Sequence, residues 1–289
     1  MKRYFVSVLA LLALAGSAWG QIPTGNLSMW LRADAGVAAI GPAFGSFTSG
    51  SLVSWRDQTS NHHDATSDDK NPINTPDATW VANGINGLPS VEFDGAHFLD
   101  IAGQVLTGQQ FTIFVVGTDT GPISGGGQRE LFSDFDHNNI NSNAFIGTTS
   151  NIIGSTRVAQ FTDGFTPTVS IHSVNAGATP SNTPFILSGQ SSNTDGAAFL
   201  DGSLLFNNNG NGPLNTIDTA TAYTLGSQGA AGADLWQGDI SEVIVYDGAI
   251  SDADRDTVLA YLANKYNIVP EPTMLGLLAT VFLMRRRSS

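Results

Sequence analysis

The chain is 289 residues long, 41% hydrophobic and 13% charged, a composition that excludes a disordered acidic tail protein and a coiled coil. Acidic residues outnumber basic ones 25 to 12, for a formal net charge of −13, which argues against nucleic acid or an anionic membrane surface as partner because no cationic face is on offer. Cysteine is absent, so disulfides, thiolate zinc sites and cysteine nucleophiles are excluded.

In chain order, Lys2 and Arg3 precede an apolar run over 6–15 and then Ala18-Trp19-Gly20. Small residues stand at the two positions a signal peptidase reads, so 1–20 reads as a secretory signal peptide cut before Gln21. Residues 21–268 read as one all-β domain. Short apolar or alternating runs separated by Gly, Asn, Thr and Ser predict strands over 27–32, 53–56, 90–93, 111–118, 145–146, 184–188, 197–200, 222–225 and 238–246. The near-continuous apolar run 111–116 predicts a central strand buried on both faces. The alternation in 240–246 predicts a strand whose second face is covered by something other than the main core. Asp201-Gly202 signals a type I′ hairpin between 197–200 and 203–206, and 207–212, rich in Asn and Gly, reads as a flexible loop. Ser251 caps a predicted helix with Asp252 and Asp254 in its first turn, Val258, Leu259, Leu262 and Tyr266 along one stripe, and Lys265 in its last turn. Residues 269–289 form a separate tail: Pro270, Glu271 and Pro272, an apolar run over 274–284, then Arg285, Arg286 and Arg287. That run is about a dozen residues, roughly 18 Å as a helix against a hydrocarbon core near 30 Å. The arginines orient it with everything upstream outside the cytoplasm.

The tail resembles the PEP-CTERM sorting signal of Gram-negative bacteria, which implies recognition by an exosortase near Pro270, Glu271 and Pro272 and a transient or retained membrane anchor. Its apolar segment is at the short end of that family's range. The domain resembles bacterial LamG-like domains. Trp30-Leu31-Arg32-Ala33-Asp34, Val53-Ser54-Trp55-Arg56-Asp57 with Asp64-Ala65, and Asn86-Gly87-Leu88-Pro89-Ser90-Val91-Glu92-Phe93-Asp94-Gly95 carry the likeness at the N-terminal side. Gly238-Asp239-Ile240-Ser241-Glu242-Val243-Ile244-Val245-Tyr246-Asp247 and the helix ending in Ala260-Tyr261-Leu262-Ala263-Asn264-Lys265-Tyr266 carry it at the other. The resemblance implies a concanavalin A-like jelly-roll sandwich of two antiparallel sheets, with a short C-terminal α-helix and, beyond it, the terminal hydrophobic helix. Where that family carries Ser-Gly-Asn-Gly after the tryptophan strand, this chain has Thr59-Ser60-Asn61-His62-His63, which puts the loop's conformation in question.

Chemistry-bearing residues are few. Enzymes of this fold resemble one another in a Glu-x-Asp-x-Glu strand, and a glycosidase needs at least two of those carboxylates. Glu92-Phe93-Asp94-Gly95-Ala96 lacks the third, so a solvated strand end is the favoured reading and no catalytic residue is assigned. No Gly-x-Ser-x-Gly elbow is present. Adjacent side chains normally diverge, so His62 and His63 read as an exposed polar loop. Asp134, Asp136 and Asn138 place oxygen ligands at alternate positions, a spacing calcium uses; a turn favoured by Asp and Asn is the competing and weightier reading. Calcium is the one cofactor the sequence raises. Trp30 and Trp55 read as core, whereas Trp80 and Trp236 lie near loops and are candidates to stack on a ligand ring. The reading that joins these features is an exported, exosortase-sorted protein of the cell surface or extracellular matrix, whose LamG-like domain binds glycan or matrix protein without catalysis. The alternatives are a glycoside hydrolase on the same fold and a purely structural matrix component.

Overall fold

The computed structural model describes residues 21–40, 49–67, 78–122, 127–134, 144–150, 157–163, 165–166, 169–170, 176–178, 182–192, 195–209, 222–228 and 233–268. Residues 1–20, expected to be a signal peptide, and 269–289, expected to be the sorting tail with Pro270, Glu271, Pro272, Arg285, Arg286 and Arg287, lie outside them, as do Asp136 and Asn138. Among the described residues no helix is long and apolar enough to cross a membrane.

The alternating runs form strands. In chain order these are β1 (Leu27–Arg32), β2 (Val37–Ile40), β3 (Ser49–Trp55), β4 (Ala65–Ser67), β5 (Thr79–Val81), β6 (Ser90–Asp94), β7 (Leu99–Ile101), β8 (Gln110–Asp119), β9 (Gln128–Ser133) and β10 (Ala144–Ser150). They continue with β11 (Arg157–Asp163), β12 (Phe165–Thr166), β13 (Val169–Ser170), β14 (Ala176–Ala178), β15 (Phe185–Ser192), β16 (Asp195–Leu200), β17 (Ser203–Asn209), β18 (Tyr223–Leu225) and β19 (Gln237–Tyr246), and one helix follows, α1 (Asp252–Tyr266). Among the described residues every β-ladder is antiparallel. One layer runs β17-β16-β15-β8-β19 and the other β4-β7-β18-β9-β10-β11-β14.

The two layers of the expected sandwich are joined at one edge, so that hydrogen bonding runs continuously from one to the other. Two strands divide one of their edges. β19 pairs with β6 over Gln237 to Ile240 and with β1 from Glu242 onward. β3 pairs with β5 through Ser49 to Ser51 and with β4 through Ser54 and Trp55. With β5 bonded to β6, the chain of pairings turns the corner from one layer to the other. The register shift between Ile240 and Glu242 is the bulge that allows this, since an extra residue bends a strand and re-aims its side chains. Ile240 consequently joins the same core as Val243 and Val245, three and five residues on.

Both strand expectations hold in detail. Phe111, Ile113 and Val115 of β8 enter the core between the layers, while Phe114 and Val116 enter a second apolar cluster with Ile186, Ile244 and Tyr246. What covers that second face is α1, through Val258, Leu259, Tyr261, Leu262 and Tyr266. Ser251 caps the helix by accepting from the Asp254 N–H, and Asn267 ends it in the left-handed conformation. At the β16–β17 turn, Asp201 and Gly202 both have positive φ, 49° and 83°, as a type I′ turn requires. Asn207, Asn208 and Asn209, expected as part of a loop over 207–212, instead extend β17 and pair with Ala197, Gly196 and Asp195. Cross-strand bonding overrides the weak strand preference of asparagine. Residues 210–212 lie outside the described residues.

Candidate functional site

The loop after β3 is organised by one carboxylate. Asp57, 3% exposed, accepts at Oδ1 from the Trp30 and Thr59 N–H groups (2.9 and 3.0 Å) and at Oδ2 from Thr59 Oγ1 and the His63 N–H (2.6 and 3.0 Å). Asp64 Oδ1 in turn accepts from the Asp57 N–H at 2.9 Å. His62 takes φ 60°, the left-handed region a glycine enters freely. The loop therefore uses a glycine-like backbone at a histidine. His62 and His63 diverge as expected, but His63 is not exposed. It is buried, and its Nδ1 lies 2.8 Å from the Ala102 carbonyl.

This loop forms one wall of a polar cleft of about 450 Å³. Asn26, Leu27 and Ser28 at the start of β1 form a second wall, Gln104, Val105 and Thr107 between β7 and β8 a third, and Asp247 just past β19 closes it. Asp247 is the only carboxylate among these residues, and no Lys or Arg is among them. Its carboxylate accepts from the Thr107 N–H at 2.9 Å and from Thr107 Oγ1. Ser28 Oγ donates to the Val105 carbonyl, Asn61 Nδ2 to the Ser28 carbonyl at 2.8 Å, and Gln104 Nε2 to the Leu106 carbonyl and Tyr223 hydroxyl. The walls are therefore stitched to one another, which holds the cleft in shape.

A smaller cleft, about 280 Å³, is lined by Trp80, Pro89, Val37, Ala39 and the turn from Ala33 to Gly36. Trp80, the sequence candidate, is half-buried here and donates its indole N–H to the Ala33 carbonyl at 2.9 Å. Asp34 at its rim is held by Arg32 through two bonds of 3.0 and 2.9 Å and by Lys265 at 3.1 Å. Burial raises the Asp34 pKa, but the Arg32 and Lys265 charges and bonds outweigh it and hold the group below the carboxylate range.

Trp236 is corrected: its indole is 0% exposed and meets Phe185 edge-on at 6.4 Å in the main core, so no ring can stack on it. The residue sits one position before β19. Trp55 is core as expected, whereas Trp30 packs on the helix side and donates to Glu242 Oε1 at 2.6 Å. Asp134 is buried rather than at a rim. Its N–H donates to the Ala144 carbonyl at 2.9 Å, and its Oδ1 accepts the Ala144 N–H at 2.6 Å, clasping β9 to β10. Among the described residues no cluster of three His, Asp or Glu side chains could hold a metal ion. Glu92 and Asp94 are both exposed, and Asp94 folds a turn by accepting from the Ala96 and His97 N–H groups at 2.8 and 3.2 Å. The cleft is not legible in the sequence because its walls come from four separate stretches of chain.

The fold defines the class: a jelly-roll β-sandwich. No family model matches the chain, and no curated protein matches it. Solved structures do. Domain 4 of AbnA, a GH43 extracellular arabinanase from Geobacillus stearothermophilus solved in complex with arabinotriose, aligns with a TM-score of 0.54 at 15% identity, over 81% of this chain and 98% of that one. Trypanosoma rangeli sialidase in complex with the inhibitor DANA aligns at 0.51 and 13%, over 83% of this chain and 33% of that one. The binding domain of Paraclostridial Mosquitocidal Protein 1 aligns at 0.51 and 11%, over 83% and 52%. The chain thus spans a whole domain of the arabinanase but only part of the other two.

Proposed function

We propose that this protein is a non-catalytic glycan-binding module, exported by its signal peptide and delivered to the cell surface or extracellular matrix through its exosortase-type tail. The observation that carries the reading is the polar cleft beside Asp247. Its volume, about 450 Å³, falls within the roughly 300–1,000 Å³ of small-molecule sites, and its polar groups belong to walls already bonded together. In support, the arabinanase domain that this chain matches over nearly that domain's full length was solved with a bound arabinotriose. A surface adhesin or matrix lectin needs no acid–base pair, and the cleft presents one carboxylate.

The reading is tested on the purified protein with a glycan array and thermal unfolding in the presence of each hit, because a ligand of the native state alone raises the midpoint by mass action. Saturable binding that is lost on filling the cleft supports it. Binding to no glycan, or hydrolysis of a bound polysaccharide, overturns it.

A further inference from the structure

The hydrogen-bond inventory of the polar cleft goes further than its shape. Asn61, Gln104 and Ser28 each line it, and each has already spent a side-chain donor on the protein. An amide whose NH₂ is so committed offers its oxygen, and a hydroxyl whose proton is so committed offers lone pairs. The bond from His63 to the Ala102 carbonyl requires the proton on Nδ1, so in the neutral ring Nε2 is an acceptor. Asp247 adds a carboxylate, and Thr107 Oγ1 donates its proton to that carboxylate. The second Asn61 N–H reaches the Leu27 carbonyl at 3.5 Å, so among the described residues lining the cleft only the Asn26 amide makes no side-chain hydrogen bond. The cleft is therefore a ring of acceptors around one negative charge.

A plain sugar hydroxyl brings an acceptor with every donor, and here most of those acceptors would go unanswered. An ammonium group brings three donors and no acceptor, and its charge is matched by Asp247. We infer that the preferred ligand is a glycan bearing free, protonated amines, that is, a deacetylated amino sugar. This rests on the glycan-binding reading and narrows it. An acidic polysaccharide is disfavoured twice over, by Asp247 and by the chain's net charge of −13.

The test uses the purified full chain at about neutral pH with four probes: glucosamine oligosaccharides, their fully N-acetylated counterparts, neutral arabinan oligosaccharides, and a lysine oligomer as a protein source of the same ammonium group. The glucosamine oligosaccharide is expected to bind at least about tenfold more tightly than the N-acetylated or neutral chains, a difference of about 1.4 kcal/mol. Asp247→Asn should erase that preference. Thr107→Arg places a cation at an exposed position of the rim and should do the same, with an unchanged unfolding midpoint showing that the fold survives. Equal affinity for acetylated, neutral and free-amine chains would overturn the amine inference while leaving the glycan reading in place. Tighter binding of the lysine oligomer than of every sugar would overturn the sugar and assign the cleft to protein. No binding of any probe would overturn the amine inference, and binding to no glycan on the array would overturn the glycan reading with it.

Discussion

Glu130 is the least comfortable side chain in the described molecule. It is 0% exposed, and neither carboxylate oxygen meets a partner at hydrogen-bonding geometry. Burial raises its pKa well above the ordinary 4.5; Ser133 offsets part of that, and the charges of Asp234 and Asp134 add to it. The folded state therefore holds a proton that the unfolded state releases, so stability falls as pH rises from about 4.5 toward the folded value. Glu130→Gln should flatten this slope. Measured by denaturant unfolding, the variant should gain on the parent by up to about 1.4 kcal/mol per pH unit within that window and show no relative gain below it. A gap that stays constant from acid to alkaline pH would refute the assignment. His62 presents the opposite case, a backbone cost rather than a side-chain one. Its φ of 60° is costly for any residue with a Cβ, while glycine costs more to order from the unfolded chain. His62→Gly should therefore stabilise by a net of about 0.5–1 kcal/mol, visible as a rise of about 1–3 °C in the unfolding midpoint. A fall would mean that the imidazole makes a contact the backbone argument ignores.

Helix α1 is held to the sheet by more than its apolar stripe. Glu242 of β19 is 1% exposed and accepts from Trp30 Nε1 and the Tyr261 hydroxyl at Oε1 (2.6 and 2.9 Å), and from Lys265 Nζ and the Tyr266 hydroxyl at Oε2 (2.7 and 2.9 Å). Burial, reinforced by the Glu242 charge and bonds, pushes both tyrosines up, so they stay protonated donors. A buried charge that loses its partner costs about 3–5 kcal/mol, whereas replacing a helix cap typically costs about 1 kcal/mol. Glu242→Ala, which leaves the buried Lys265 with only the partly exposed Asp34 as counter-charge, should accordingly destabilise more than Ser251→Ala, and paired denaturant unfolding of the two variants ranks them. Similar losses would mean that the network is worth little beyond the apolar packing around it. The helix itself was legible from Ser251, the first-turn acids and the stripe. The role of Lys265 was not, because its position in the last turn already accounted for a cation there, and its partner lies 23 residues away across a layer.

At the scale of the whole molecule, the sandwich brings the start of β1, the loop after β3, the segment before β8 and the end of β19 to one place, and the polar cleft is the result. A ligand of that cleft at a hundredfold its dissociation constant should stabilise the fold by about 2.7 kcal/mol. The gain should appear in thermal unfolding with the glucosamine oligosaccharide and vanish in Thr107→Arg. A gain that persists in that variant would place the ligand elsewhere, the smaller Trp80 cleft being the first site to substitute. Residue pattern alone carried the all-β class, the doubly buried β8, the outer cover on β19, the type I′ hairpin and the capped helix. Each is a local consequence of side-chain period or of one residue's backbone preference. Only the tertiary structure decided that Trp236 is core while Trp80 faces a cleft, that Asp134 clasps two strands, that the layers join through the divided edges of β3 and β19, and which donors are already spent around Asp247. Those outcomes depend on which distant segments meet, and residue spacing along the chain carries no record of that.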